Sequence, residues 1–205
     1  MTTQRFKYLE NKQYWRCDCW YATFIDSAQL PKVAEELEQY TLHQNDIYDA
    51  GYRRFLANIA TPLLAKLPAE QNGLDYGCGP GPALATMLTE AGHNMAVYDP
   101  FFYQQDDVLN KQYDFITCTE VAEHFHQPAD EISKLNTLLK PGGWLGIMTQ
   151  FQTNDDAFEH WHYRHDPTHV VFYKQQTFIH LAAQLGWYCE IPCKNVVLLQ
   201  KPISD

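Results

Sequence analysis

The chain contains no apolar run long enough to cross a membrane. Its first residues, Met1 to Glu10, are polar and lack the hydrophobic core of a secretory signal. A basic balance is missing too: 15 Lys and Arg stand against 25 Asp and Glu, for a net charge of -10. Duplex-binding proteins present a basic face to phosphate, so nucleic acid is not an expected partner. There is no Cys-x-x-Cys pair among the six cysteines, Cys17, Cys19, Cys78, Cys118, Cys189 and Cys193. Cys17-Asp18-Cys19 is too tight for a usual zinc half-site, even were Cys189 and Cys193 to complete it. The expectation is a cytoplasmic protein with free thiols, no membrane association and no metal. Internal repeats and low-complexity tracts are absent as well.

What remains is a globular composition of 45% hydrophobic and 20% charged residues in 205 positions, enough for one domain with modest additions. Aromatics are abundant at 14%, with thirteen Tyr and five Trp. Residues 1–70 read as an N-terminal extension and helical cap, and residues 71–205 as the main domain. In the extension, Arg16 to Ile25 is aromatic and β-branched, which predicts a strand or hairpin. Pro31 opens a helical pattern with Val33, Leu37 and Tyr40 on one face. A second helix is expected over Gly51 to Leu67, with Pro62 kinking or dividing it.

From residue 71 onward, strand and helix patterns alternate, which argues for an α/β fold with a mostly parallel sheet. Strands are expected at Leu74–Tyr76, Met95–Tyr98, Tyr113–Cys118 and Trp144–Thr149, and helices at Pro82–Ala91, Pro128–Leu139 and Gln175–Leu185. Lys140-Pro141-Gly142-Gly143 reads as a turn. Trp187–Ile191 and Asn195–Gln200 close the sheet as an antiparallel pair. Between the first strand and the first helix lies Asp75-Tyr76-Gly77-Cys78-Gly79-Pro80-Gly81-Pro82. A glycine turn between a strand and a helix is where such folds bind nucleotides. The dinucleotide spacing Gly-x-Gly-x-x-Gly would need a glycine where Pro82 stands, which disfavours a nicotinamide oxidoreductase.

The alternation Asp-x-Gly-x-Gly-x-Gly resembles motif I of class I S-adenosylmethionine-dependent methyltransferases, of the bacterial small-molecule type. Three more segments fall in that family's order: Ala96-Val97-Tyr98-Asp99, Tyr113 to His124 and Leu139 to Leu145. The resemblance implies a Rossmann-like sheet with its last strand antiparallel. It also implies S-adenosylmethionine as cofactor, with Asp75, Gly77, Gly79 and Gly81 cradling its methionine part. Amides of the bend would wrap that amino-acid tail rather than a pyrophosphate. Asp99, about twenty residues on, would hold the ribose, with Pro100 and Phe101 beside it and Thr119 and Glu120 near the methyl donor. Asp99 before Pro100 also suits an ordinary turn cap. Glu123-His124 matches the family's Glu-His pair, as pocket lining or as a packed helix start. Cys78 reads as a small spacer within the loop. One departure stands out: only Phe101 to Gln112 separates Asp99 from the next strand. One strand unit is trimmed, so six strands are expected; Asp106 or Asp107 would substitute for the family's adenine-contacting acid, or adenine would rest on Phe101, Phe102 or Tyr103.

The segment Glu159 to Tyr173 carries His160, His162, His165 and His169 with Asp166. It resembles the substrate-side loop of small-molecule methyltransferases. His169, then His165, with Asp166, are the candidate catalytic residues, since a near-neutral imidazole can take a proton from an attacking hydroxyl or amine. A metal cluster of His160, His162, His165 and Asp166 is the other reading of that loop. Tyr163, Trp161, Phe172 and Tyr173 are candidates to face the sulfonium. Tyr40, His43, Asn45 and Tyr52 are candidates to close over the cofactor, or ordinary turn chemistry of a cap. The function implied is methyl transfer to a small-molecule acceptor. The competing one is a non-catalytic regulatory module that binds S-adenosylmethionine or a nucleoside. The acceptor atom and the oligomeric state stay open.

Overall fold

The computed structural model describes residues 3–42 and 46–203. The chain opens with an antiparallel hairpin, β1 (Thr3–Leu9) and β2 (Lys12–Cys17), and continues into β3 (Thr23–Ile25). Two helices follow, α1 (Val33–Thr41) and α2 (Ala50–Leu64). The alternating region then supplies β4 (Asn72–Tyr76), α3 (Ala83–Glu90), β5 (Asn94–Tyr98), β6 (Tyr113–Thr119), α4 (Pro128–Leu138) and β7 (Leu139–Met148). It closes with β8 (Val171–Phe172), α5 (Gln175–Leu185), β9 (Tyr188–Cys193) and β10 (Val196–Gln200).

The main sheet has six strands in the order β5-β4-β6-β7-β10-β9. The first four are parallel, and β10 runs antiparallel to both β7 and β9. The trimmed unit is visible between β5 and β6, where only a short 3-10 turn, Asp106–Asn110, occurs. That leaves β5 as the sheet edge. The central strands are apolar on both faces, as a sheet covered on both sides requires. Ile116, Leu145, Val197 and Leu199 pack with Leu135 of α4 and Phe178 of α5. Phe115 and Leu198 pack with Leu56, Ile59 and Leu63 of α2 and Leu84 and Leu88 of α3.

A second, four-stranded sheet has the order β1-β2-β3-β8, so two residues from late in the chain complete the N-terminal hairpin. Edge-to-face rings lock this sheet onto the loop that follows β7. Tyr14 meets Phe158 at 5.0 Å and Phe158 meets Phe172 at 5.2 Å. Arg16 adds a clamp: it lies over the Phe6 ring and grips both oxygens of Asp155 at 2.9 and 3.1 Å. Lys174 holds the same carboxylate at 2.7 Å.

Four expectations need correction. The polar segment Thr3–Leu9 is a strand that alternation did not reveal, because an edge strand with one wet face needs few apolar residues. In α1, Val33 and Leu37 face outward at 68% and 39% exposure, and the buried residue is Glu36, paired with His126. Pro62 sits in the last turn of an undivided α2, which continues past it for only two residues without the one amide bond that the ring removes. Residues 140–143 form no separate turn; they bulge within β7, where Trp144 pairs with Phe115 and Leu139 with Tyr113.

Arg16, then Lys174, hold Asp155 down to about 2 from its ordinary 3.8. A depressed carboxylate stabilises the fold above its unfolded pKa, and that contribution fades as pH falls from about 4 to about 2. Asp155 is 45% exposed at its side chain, so screening limits the effect to ~1 kcal/mol. Urea unfolding is expected to find Asp155→Ala less stable by that amount at pH 7. The gap from wild type should narrow steadily below pH 4; a gap independent of pH would remove Asp155 from the clamp.

Candidate active site

β4 delivers the chain to the cavity through Gly77, whose φ of +81° and tight surroundings admit only glycine. A Cβ there would lie 2.4 Å from Cγ2 of Val121. The amides of Gly77 and Cys78 donate to the Tyr98 carbonyl at 2.8 and 3.2 Å. The amide of Gly79 donates to Asp99 Oδ2 at 2.9 Å. Asp99 Oδ1 accepts the amides of Phe101 at 2.8 Å and Phe102 at 3.1 Å. One buried carboxylate thus ties the loop after β4 to the loop after β5. Three successive amides of the glycine bend are engaged inside the protein. Those three donors are therefore spent within the protein, against the expectation that the bend's amides wrap the cofactor's amino-acid tail.

Asp75 lies beneath the bend, 4% exposed, and accepts the Thr117 hydroxyl at 2.7 Å. Burial pushes its pKa up to about 6, with the hydrogen bonds from Thr117 and the Ala85 amide opposing the rise and nearby Asp99 adding to it. Burial likewise pushes the Cys78 thiol far up, which keeps it protonated and inert.

The bend forms one wall of a cavity of about 1020 Å³. Asp75, Gly77, Gly79, Gly81, Asp99, Pro100, Phe101, Thr119 and Glu120 all reach this space. So do His165, Asp166 and His169 on the other side. Tyr40 of α1 and Tyr52 of α2 cover it, and Tyr40 meets Phe101 edge-on at 5.3 Å. His43 and Asn45 lie outside the described residues. Of the aromatics expected at the sulfonium, only Tyr163 reaches the cavity. Phe172 and Tyr173 are core residues, and Trp161 packs on Phe158 and Phe172. The rest of the aromatic lining comes from Tyr40, Tyr52, Tyr76, Tyr98, Phe101, Phe102 and Phe125.

Beyond β6 the backbone at Glu120 adopts φ +52°, a conformation costly for a side chain and commonest at functional sites. Its amide is held by the Met148 carbonyl at 2.8 Å. Burial first, and the Glu123 carboxylate second, push Glu120 up to about 8. Among the described residues, neither Glu120 Oε1 nor Thr119 Oγ1 has a hydrogen-bond partner, although both are enclosed.

The far end of the cavity is polar. Glu123, fully buried, accepts the Tyr163 hydroxyl on Oε1. His169, 8% exposed, bonds the Tyr163 carbonyl through Nδ1 at 2.7 Å, and its ring lies 4.8 Å from that of His124. A carbonyl can only accept, so Nδ1 carries the proton and Nε2 the lone pair. Burial pushes His169 below its ordinary value, partly offset by Glu123. Asp166 Oδ1 is taken by the amide and hydroxyl of Thr168 at 2.8 and 2.6 Å, while Oδ2 stands 3.9 Å from His169 Nε2. His165 is exposed and stacks on His162. The cluster of His160, His162, His165 and Asp166 does not assemble. Among the described residues, the group with metal-ligand spacing is Glu123, His124 and His169. Of the Glu123-His124 pair, His124 lines the cavity while Glu123 is enclosed behind it, and only tertiary structure brings His169 to them.

A sequence profile described as a methyltransferase domain matches residues 48–190, more than half of the chain. The chain is 31% identical over 91 residues to a ubiquinone biosynthesis O-methyltransferase of Serratia proteamaculans, a match covering 44% of this chain and 38% of that enzyme. It spans less than two fifths of the length of the curated relatives it matches. Among solved structures, 1,6-didemethyltoxoflavin-N1-methyltransferase of Burkholderia thailandensis, with its substrate and S-adenosylhomocysteine bound, superposes with a TM-score of 0.55 at 14% identity. That match covers 98% of this chain and 100% of the other. Magnesium protoporphyrin IX methyltransferase of Synechocystis PCC 6803 superposes with a TM-score of 0.55 at 14% identity, over 83% of this chain and 94% of the other. At such identities these superpositions speak for the fold, which is the Rossmann-like fold of those methyltransferases. With a matching profile over the glycine bend, Asp99 and the polar end of the cavity, the chain belongs to the methyltransferase domain family.

Proposed function

We propose that this protein transfers a methyl group from S-adenosylmethionine to a small-molecule acceptor. The observation that carries the reading is a single cavity with two unlike ends. One end is the glycine bend clasped by Asp99; the other is the polar cluster around His169. A module that only bound the cofactor would have no need of the second end. The matched methyltransferases support the same reading, since both superposed structures hold S-adenosylhomocysteine.

In this reading Gly77, Gly79 and Gly81 let the methionine part lie close to the backbone, and Asp75 supplies negative charge beneath it. Asp99 accepts the ribose hydroxyls with lone pairs that its amide bonds leave over, Pro100 and Phe101 flank the adenosine, and Thr119 and Glu120 border the sulfonium. The cofactor is an activated cation, so transfer is an in-line displacement that needs positioning above all. His169 is the catalytic residue at the acceptor, with Asp166 Oδ2 beside its Nε2; His165 stands at the rim. Residues 1–70 serve as the cap and residues 71–205 hold the cofactor. Free thiols and a net charge of -10 suit a cytoplasmic enzyme that acts on a metabolite rather than on nucleic acid.

Asp99→Ala is expected to weaken S-adenosylhomocysteine binding by ~10-fold or more in calorimetry, the loss of a charged hydrogen bond. Unchanged affinity in the folded variant would take Asp99 out of the site. His169→Ala is expected to lower kcat far more than cofactor affinity; an equal loss of both would make His169 structural.

Asp75 gives a pH signature. With its pKa raised to about 6 it is neutral at pH 5 and charged at pH 7. A cationic cofactor prefers the charged form, so affinity should rise several-fold as pH goes from 5 to 7. Titrations of Asp75→Asn should be flat over that range. A wild-type profile that is also flat would disconnect Asp75 from the bound charge.

A further inference from the structure

The short connection between β5 and β6 brings no α-helix over the ends of β4 and β5. Four side chains stand there instead. Tyr76 and Tyr98 are the last residues of those two strands and pair in register, so both rings leave the sheet on one face. The rings stack at 5.3 Å, on the face that α4 covers. The Tyr76 hydroxyl donates to Glu131 Oε2. Lys134 Nζ donates to the Tyr76 hydroxyl at 3.1 Å and to Glu131 Oε1 and Oε2 at 3.0 and 3.2 Å. Gln127, Glu131 and Lys134 recur at helical spacing, so one stripe at the start of α4 lines the cavity while Leu135 and Leu138 are buried. Lys134 is the only Lys or Arg among the described residues to do so.

The pair offers an acceptor and a donor side by side. Oε1 of Glu131 accepts from Lys134 alone among the described residues, so it keeps a lone pair. The Lys134 ammonium has three protons. One goes to the Tyr76 hydroxyl and one is shared across the carboxylate, which leaves the third free. As a brace this pair is worth little: it joins residues three apart, with side chains 26% and 42% exposed. Its place in the wall sets it apart from other surface pairs. Tyr98 directly precedes Asp99, and the Tyr76 ring beside it ends at Glu131. One tyrosine ring therefore separates the pair from the strand end that carries the carboxylate assigned to the ribose.

We propose that Glu131 and Lys134 read the edge of the cofactor's adenine, Glu131 accepting from the amino group and Lys134 donating to the neighbouring ring nitrogen. This rests on the methyl-transfer reading above and deepens it, since it names what tells an adenosine from another nucleoside. Adenine carries an amino donor beside ring-nitrogen acceptors. A carboxylate beside an ammonium is the matching order. With its ribose on Asp99, the nucleoside lays its base on Phe101 and turns that edge to α4. Hypoxanthine has a carbonyl oxygen where the amino group was and a proton on the adjacent nitrogen. Its edge sets oxygen against carboxylate and N–H against ammonium, so both contacts turn repulsive. The acids expected to substitute here do not. Asp106 and Asp107 are exposed on their 3-10 turn and do not line the cavity, and the Tyr103 hydroxyl turns to the Pro80 carbonyl.

The test is a pair of calorimetric titrations of the intact chain, with S-adenosylhomocysteine and with its hypoxanthine analogue S-inosylhomocysteine. The wild type is expected to bind the adenine compound ~10-fold or more tightly. Glu131→Gln keeps an oxygen for the Tyr76 hydroxyl and adds an amide N–H for the hypoxanthine carbonyl. Its ratio should fall to ~3-fold or less, and Lys134→Met should lower the ratio in the same direction. A pair that merely braced the wall would weaken both ligands alike and leave the ratio in place. A wild-type ratio near one, or a ratio unchanged in both variants, would overturn the assignment, while binding of S-adenosylhomocysteine would keep the methyltransferase reading. Should Glu131→Gln bind neither compound, Lys134→Met decides; loss of both compounds in each variant makes the pair structural and overturns the assignment too. Failure of the wild type to bind S-adenosylhomocysteine would sink the cofactor reading and this assignment with it.

Discussion

The cavity depends on one carboxylate. Asp99 accepts amides from Gly79 on one crossover loop and from Phe101 and Phe102 on the next. Hydrogen bonds to a charged acceptor contribute about 1.5–3 kcal/mol each, twice a neutral bond or more. They hold the carboxylate inside the wall and fix the two loops against each other. Gly77 makes the bend possible, but Asp99 decides where it points. A ligand that bonds Asp99 meets a group already held in place, so little ordering cost falls on binding.

Around that clasp the protein gathers acids at a density folding alone would disfavour. Asp75 is raised to about 6 and Glu120 to about 8, and Glu123 is raised as well, each first of all by burial. A raised carboxylate marks a place where the folded state resists negative charge. The cationic side chain that lines the same space, Lys134, is bound to Glu131 and the Tyr76 hydroxyl at its edge. The cavity is thus short of positive charge, and the two ends are short of it in different ways. Near the bend the deficit is diffuse and lined with rings, which suits a large organic cation whose charge must vanish during the reaction. At the other end Glu123 is enclosed behind His124, and its charge is met by the Tyr163 hydroxyl rather than by a cation of the lining.

The sequence made the main sheet legible because parallel strands buried on both faces leave apolar runs, and the glycine bend leaves a pattern that few other structures need. The missing strand unit could be counted directly from the short gap between Asp99 and Tyr113. The second sheet was not legible, since β8 joins β3 only after about 145 intervening residues, and no local period encodes a pairing that distant. The same limit applied to the site. Glu123 and His124 stood out as a pair, but their partnership with His169 depends on the Val170 amide returning to the Glu123 carbonyl. Conversely, four histidines close in sequence looked like a cluster, and the 3-10 turns of that loop scatter them. Aromatic content was misread in the same manner: Phe172 and Tyr173 fill the core, while the rings over the cavity come from α1, α2 and the loop after β5.

The misread helix α1 explains how the cavity can be both covered and reachable. Its aliphatic residues Val33 and Leu37 point to solvent, and its buried contact is the pair between Glu36 and His126. Tyr40 reaches inward to touch Phe101 on the bend side and His124 on the polar side. A segment that buries so little apolar surface has low local stability and opens at small cost compared with α2, whose Leu56, Ile59 and Leu63 are wedged against the sheet. The hydroxyphenyl group of Tyr40 therefore bridges the two ends of the cavity from the part of the wall least able to hold itself shut.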